Sequence, residues 1–213
     1  MRPHAVIASE AKQSIVRRRK CGLLRFARND GKSRLGERMK VIGLAGWSGA
    51  GKTTLLTRAI PQLQKQGLRV SVIKHAHHAF DVDVPGKDSW KHREAGAAEV
   101  LVSSSQRWAL MHELRGAAEP RLPELLAKMS RVDLVVVEGF KREPHRKIEV
   151  HRAANEKPLL FPDDPGIVGI ATDTAVETTL PIAHLDDIEA VAAMMLKSAI
   201  SLEDVLAKCE AEG

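Results

Sequence analysis

The run Gly46-Trp47-Ser48-Gly49-Ala50-Gly51-Lys52-Thr53 constrains this chain more than any other feature. It satisfies G-x-x-x-x-G-K-[ST] at every fixed position, the spacing of a loop that wraps nucleotide phosphates. The glycines let the backbone of Gly46, Ser48, Gly49, Ala50 and Gly51 turn tightly, so that successive N–H groups form an anion-binding nest. Lys52 brings a point charge to the β- and γ-phosphates, and the Thr53 hydroxyl is placed to ligate Mg²⁺, with Thr54 beside it. The flanks agree with this reading. Residues 40–45 read as a short buried strand, and Thr54 to Ile60 as an amphipathic helix whose N-terminus faces the phosphates.

A chain of 213 residues suits one domain with a full core. Aromatic residues are only 3% and Tyr is absent, so that core rests on Val, Ile, Leu and Ala, the usual stock of a parallel sheet covered on both faces. The formal charge of +6 invites a polyanion partner, but its distribution argues otherwise. Residues 1–38 carry eleven Lys and Arg against three Asp and Glu, leaving 22 basic and 24 acidic residues for the remainder. The basic character belongs to the leader, and neither a nucleic acid nor a membrane is expected as a partner of the domain. The leader has Arg17-Arg18-Arg19-Lys20 but no sustained apolar region, so it is either a basic disordered extension or the product of a misassigned start ahead of Met39. No apolar run reaches the length of a membrane span. Cys21 and Cys209 stand far apart with no C-x-x-C spacing, which fits a reducing cytoplasm.

From residue 40 the chain alternates strand and helix. Residues 67–74 read as a second strand, after a helix broken by Pro61 and closed by Gly67. A helix is expected over 88–98, short strands at 99–103 and 107–111, and a helix over 122–130. The clearest buried strand spans 131–138, followed by strands at 147–150 and 166–171 and a helix over 185–200. This order predicts an α/β, three-layer P-loop fold over 39–200, its mostly parallel sheet flanked by helices, with residues 201–213 as a C-terminal tail.

Other chemistry-bearing residues fall at the strand ends, where such a sheet binds its ligands. Glu138 closes the apolar strand and either reaches the Mg²⁺ shell or is a solvated acid; the phosphate loop favours the first. Lys74, His75, His77 and His78 leave the second strand toward the same edge, as contacts to a phosphate-bearing ligand or as a solvated polar loop. Asp81, Asp83 and Asp88 follow. Among them Asp88 is preferred as a catalytic or Mg²⁺-shell carboxylate, although it also suits a helix N-cap. Asp173, just past the strand ending at residue 171, could accept from N1–H and N2–H₂ of guanine or simply cap a helix.

Taken together, Val41 to Thr54, Val72-Ile-Lys-His-Ala-His-His78, Asp81 to Asp88 with its Pro-Gly-Lys-Asp, His92 to Gly96, and Val137-Glu-Gly-Phe-Lys141 resemble the molybdopterin-guanine dinucleotide biosynthesis adapter family, MobB. The Lys-His-x-His-His run followed by Pro-Gly-Lys-Asp is the narrow part of the match. The resemblance implies a homodimeric, cytoplasmic P-loop protein that binds GTP with Mg²⁺. Its implied role is to assist the guanylyltransferase that converts molybdenum cofactor, a molybdopterin, to its guanine dinucleotide form. It also implies that Gly49, Gly51, Lys52, Thr53 and Thr54 hold phosphates and Mg²⁺, that Glu138 occupies the second-motif position, and that the His cluster faces the shared ligand. Any hydrolysis would be slow, with Arg93 and Arg142 merely available as arginine fingers. Two alternatives remain: a P-loop small-molecule kinase with residues 141–147 as its lid, and a metal-insertion GTPase using the His75, His77 and His78 cluster.

If the leader is no part of the domain, protein starting at Met39 binds nucleotide as tightly as the full chain and retains less non-specific DNA in a filter-binding assay. Loss of nucleotide binding on truncation would make the leader functional.

Overall fold

The computed structural model describes residues 39–76 and 80–211. The basic segment 1–38, together with His77 and His78, lies outside them. Alternation of apolar side chains along the strands decides the architecture. Strand β1 (Lys40–Ala45) pairs in parallel with β5 (Leu134–Glu138), Val41 opposite Val135 and Ile42 opposite Val136. Ile42, Leu44, Leu134 and Val136 turn to one face, where Leu55, Leu56, Ala59 and Leu63 of α1 (Lys52–Lys65) and Val191, Ala192 and Met195 of α4 (Ile188–Ser198) cover them. Val41, Val135 and Val137 turn to the other, under Leu122 and Leu126 of α3 (Leu122–Lys128) and Val205 and Cys209 of α5 (Leu202–Ala211).

The result is the expected three-layer α/β arrangement. The main sheet runs β2 (Val70–Lys74), β5, β1, β6 (Lys147–His151), β7 (Ile167–Thr172), β8 (Ile182–His184), every pair along that path parallel. A short β9 (Ile200–Ser201) adds antiparallel to β1. Between β2 and α3 the chain forms α2 (Asp88–Glu94) and a separate antiparallel hairpin, β3 (Glu99–Ser103) with β4 (Trp108–His112).

Two expectations about elements are corrected. Pro61 does not break the first helix: α1 runs through it to Lys65. Proline removes one N–H donor, and here the residue is exposed, while Leu63 beyond it is fully buried; core contact holds the last turn in place. Residues 201–213, set apart as a tail, contain α5, whose Val205 and Cys209 are 0% and 1% exposed. The segment completes the second core face.

The turn entering β6 holds a buried imidazole. His145 is fully buried against Gly43 of β1, where a Cβ would overlap the ring, so the strand needs glycine at that point. Neighbouring Lys147 is also buried and reaches Asp164 at 3.1 Å. Burial pushes the His145 pKa down to about 4, and the Lys147 ammonium adds to the shift. The folded value thus lies below the unfolded value of 6.5. Between the two, the unfolded chain binds a proton that the folded chain does not, so stability is highest above about pH 6.5 and falls as pH drops toward 4. Urea denaturation across this window is expected to show a loss on the order of 3 kcal/mol from this group. His145→Leu should flatten the profile between those pH values; an unaltered profile would remove His145 as the source.

Candidate functional site

Parallel strands end together, and three of them set out the site. In the register, Lys74 of β2 lies opposite Glu138 of β5, which lies opposite Leu44 of β1, one residue before β1 ends. The phosphate loop then leaves β1 and returns as α1. Gly51 sits at the helix N-cap in the left-handed conformation, φ 89°, with no side-chain cap on the first turn. The free N–H groups and the positive end of the helix therefore face outward from the loop.

A cavity of about 680 Å³ opens here. Gly46, Ser48, Gly49, Gly51, Lys52, Thr53, Thr54, Lys74, His75 and Glu138, all singled out in the sequence, line it. Ala50 does not; it is 1% exposed and belongs to the core beneath the loop. Lys52 Nζ donates to the carbonyls of Gly46 at 2.9 Å and Trp47 at 3.0 Å, curling over the loop it serves. Burial lowers the Lys52 pKa, Glu138 opposes that, and the Lys141 and Lys74 ammoniums add to it. Thr53 Oγ1 donates to Glu138 Oε1 at 2.8 Å, and Lys74 Nζ donates to Thr53 Oγ1 at 3.3 Å. Glu138 is 9% exposed at its side chain and has Lys74 Nζ 3.4 Å away. A buried carboxylate beside a threonine hydroxyl is a site for positive charge. Mg²⁺ takes one or two protein oxygens and completes its shell with phosphates and water, and Thr53 and Glu138 offer such a pair.

His75 is fixed from three sides. Its N–H donates to the Glu138 carbonyl at 2.8 Å, its Nε2 shares a hydrogen bond with Glu119 Oε1 at 2.7 Å, and its ring lies 4.9 Å from that of Phe140. Gly139, φ 99°, permits this approach, because a Cβ there would come within 2.7 Å of the His75 Cβ.

Two acids expected at the ligand lie outside this cavity. Asp88 opens α2 with its side chain 92% exposed, 3.6 Å from Lys91, and does not line the cavity. The reason lies in its neighbours: Arg93 binds Asp81 at 2.7 and 2.8 Å and Glu113 at 3.1 Å, clamping the preceding loop to α2 and the hairpin. Asp173 does not line the cavity either. Its Oδ1 accepts from the Ala153 N–H at 2.8 Å and its Oδ2 meets Arg152 at 3.4 Å, so the carboxylate caps the 3-10 turn at Ala153–Asn155.

Residues that sequence reasoning missed complete the site. Lys141 lines the cavity, its ammonium 4.9 Å above the Trp47 ring. The Trp47 indole N–H donates to the Pro158 carbonyl at 2.8 Å, and the Asn155 amide donates to the Ser48 carbonyl at 3.1 Å, so residues 152–158 brace the phosphate loop from outside. Lys141 was visible as the last residue of Glu-Gly-Phe-Lys; the bracing contacts span more than 100 residues and leave no local signal.

Comparison with known proteins shows the family and the fold. The family model described as molybdopterin guanine dinucleotide synthesis protein B, MobB, matches residues 41–173. The molybdopterin-guanine dinucleotide biosynthesis adapter protein of Escherichia coli (strain K12) is 43% identical over 155 residues, 71% of this chain and 89% of that protein. Its counterpart from Haemophilus influenzae is 40% identical over 162 residues, 74% of this chain and 88% of that protein. Among solved structures, a molybdopterin-guanine biosynthesis protein B superposes with a TM-score of 0.60 at 28% identity, covering 74% of this chain and 98% of the other. Bacillus subtilis MobB, at 23% identity and a TM-score of 0.57 over 73% of this chain and 98% of its own, shares the fold. A phosphate loop closed by Thr53, Glu138 and Lys74, on a fold and sequence shared with these proteins, places the chain in the MobB family of molybdopterin-guanine dinucleotide biosynthesis adapter proteins.

Proposed function

We propose that this protein binds GTP with Mg²⁺ and acts as an adapter for the guanylyltransferase that forms molybdopterin guanine dinucleotide. The observation that carries the reading is the joining of the phosphate loop to Glu138 through the Thr53 hydroxyl, inside a cavity bearing three lysines. Lys52 and the loop N–H groups hold the phosphates, and Thr53 and Glu138 hold the metal. Bound there, Mg²⁺ would neutralise phosphate charge and fix the phosphate tail. Guanine is favoured over adenine by the kinship with proteins named for guanine dinucleotide synthesis. His75, pinned between Glu119 and Phe140 at the cavity wall, supports a ligand or partner contact at this residue.

Hydrolysis would be slow. Arg93, one of the two candidates for an arginine finger, is 12% exposed at its side chain and committed to Asp81 and Glu113. The kinase alternative needs residues 141–147 as a mobile lid, yet His145 and Lys147 within that segment are buried. A homodimer is proposed because the β3–β4 hairpin exposes Leu101, Trp108 and Leu110 on one face, an apolar surface of the kind a second copy covers. The cytoplasm is the proposed compartment, because Cys21 and Cys209 lack the spacing of a disulfide framework.

The test is reconstitution with the guanylyltransferase. Adding the protein with GTP and Mg²⁺ should raise formation of the guanine dinucleotide cofactor. Lys52→Ala should lower nucleotide affinity by about a hundredfold, as loss of a charge-assisted contact implies, and abolish the stimulation while the melting temperature without nucleotide stays close to the parent value. Stimulation that survives Lys52→Ala would contradict a nucleotide-dependent adapter.

A further inference from the structure

The pair of oxygens assigned above to Mg²⁺ already has a cation on it. Thr53 Oγ1 gives its single proton to Glu138 Oε1 at 2.8 Å, so only its lone pairs remain for other contacts. One of them accepts from Lys74 Nζ at 3.3 Å, and the same ammonium stands 3.4 Å from Glu138 Oε1. A divalent ion bound through Thr53 would take the other lone pair, and at metal–oxygen distances of about 2.1 Å it would lie within a few ångströms of the ammonium. Two positive centres that close repel strongly in a half-buried site. The Lys74 contact and a bound Mg²⁺ are therefore alternatives.

Lys74 is built to leave. It is the last residue of β2, its side chain is 56% exposed on a flexible four-carbon stem, and it lines the same cavity as Lys52 and the phosphate loop. We propose that Lys74 is a tethered cation that competes with Mg²⁺ for Thr53 and Glu138 and, when the metal takes the pair, moves its charge onto the nucleotide phosphates. This rests on the reading of Thr53 and Glu138 as the metal site. It gives Lys74 two opposite effects: against the metal when metal binds alone, and for the nucleotide when metal is scarce. An ordinary strand-end ion pair has neither.

Two titrations on the full-length protein test this. The first follows Mn²⁺, standing in for Mg²⁺, by electron paramagnetic resonance without nucleotide. Lys74→Gln should bind Mn²⁺ about tenfold more tightly than the parent protein, the effect of removing one neighbouring like charge that is free to swing aside. The second follows a fluorescent GDP analogue in EDTA and in excess Mg²⁺. Lys74→Gln should bind it about tenfold more weakly in EDTA, with a smaller difference in Mg²⁺. Lys74→Arg, which keeps the charge, should stay close to the parent in both titrations and guards against a general effect of substitution. Unchanged Mn²⁺ affinity and an unchanged EDTA penalty in Lys74→Gln overturn the proposal. Glu138→Gln separates the causes. If it abolishes Mn²⁺ binding while Lys74→Gln changes nothing, the Lys74 inference alone falls. If it leaves Mn²⁺ binding intact, the metal reading falls and the inference with it.

Discussion

A direct hydrogen bond joins the two halves of the site: Thr53, at the start of α1, donates to Glu138, at the end of β5, 85 residues later. It forms because β5 lies beside β1 in register and ends one residue past the level of Val137 and Gly43, just where the phosphate loop departs. Glu138 shares its strand face with Leu134 and Val136, which point toward α1, so alternation aims the carboxylate at Thr53 rather than at the opposite layer. A charge-assisted bond of this kind contributes about 1.5–3 kcal/mol, but its larger effect is positional. It brings an acid to a loop otherwise ringed by ammonium groups.

Around that bond the loop is held more firmly than its glycines would predict. Glu149, fully buried, accepts from the N–H groups of Leu160 and Phe161 at 2.7 and 2.9 Å and so fixes the segment after β6. That segment in turn reaches the loop through Pro158 and Asn155. Asp173 belongs to the same brace, tying β7 to the turn at Ala153. The phosphate cradle is thus supported from three strands, β1, β6 and β7, and depends on polar groups that carry no motif of their own.

How much of this was legible in the sequence follows from the range of each interaction. The phosphate loop, the buried strand ending in Glu138 and the two-faced alternation around Val41 and Val135 are local patterns, and the structure bears out the fold they imply. Lys74 and His75 could be placed at the ligand edge because they end a strand. Asp88 and Asp173 fall outside the phosphate cavity, which no local pattern announces: an acid near a helix start reads alike whether it caps, faces solvent or reaches a ligand. What decided them was Arg93 gathering Asp81 and Glu113, and Ala153 meeting Asp173, both contacts made across loops. Pro61 misled for the opposite reason, a strong local rule overruled by the burial of Leu63.

The proposed recognition of a guanine nucleotide with Mg²⁺ is tested most directly by competition. GTP and ATP would each be titrated against a fluorescent guanine nucleotide on protein starting at Met39, with Mg²⁺ present. GTP should displace the probe at concentrations at least about tenfold lower than ATP, a difference of roughly 1.4 kcal/mol. Equal displacement, or preference for ATP, would contradict the account.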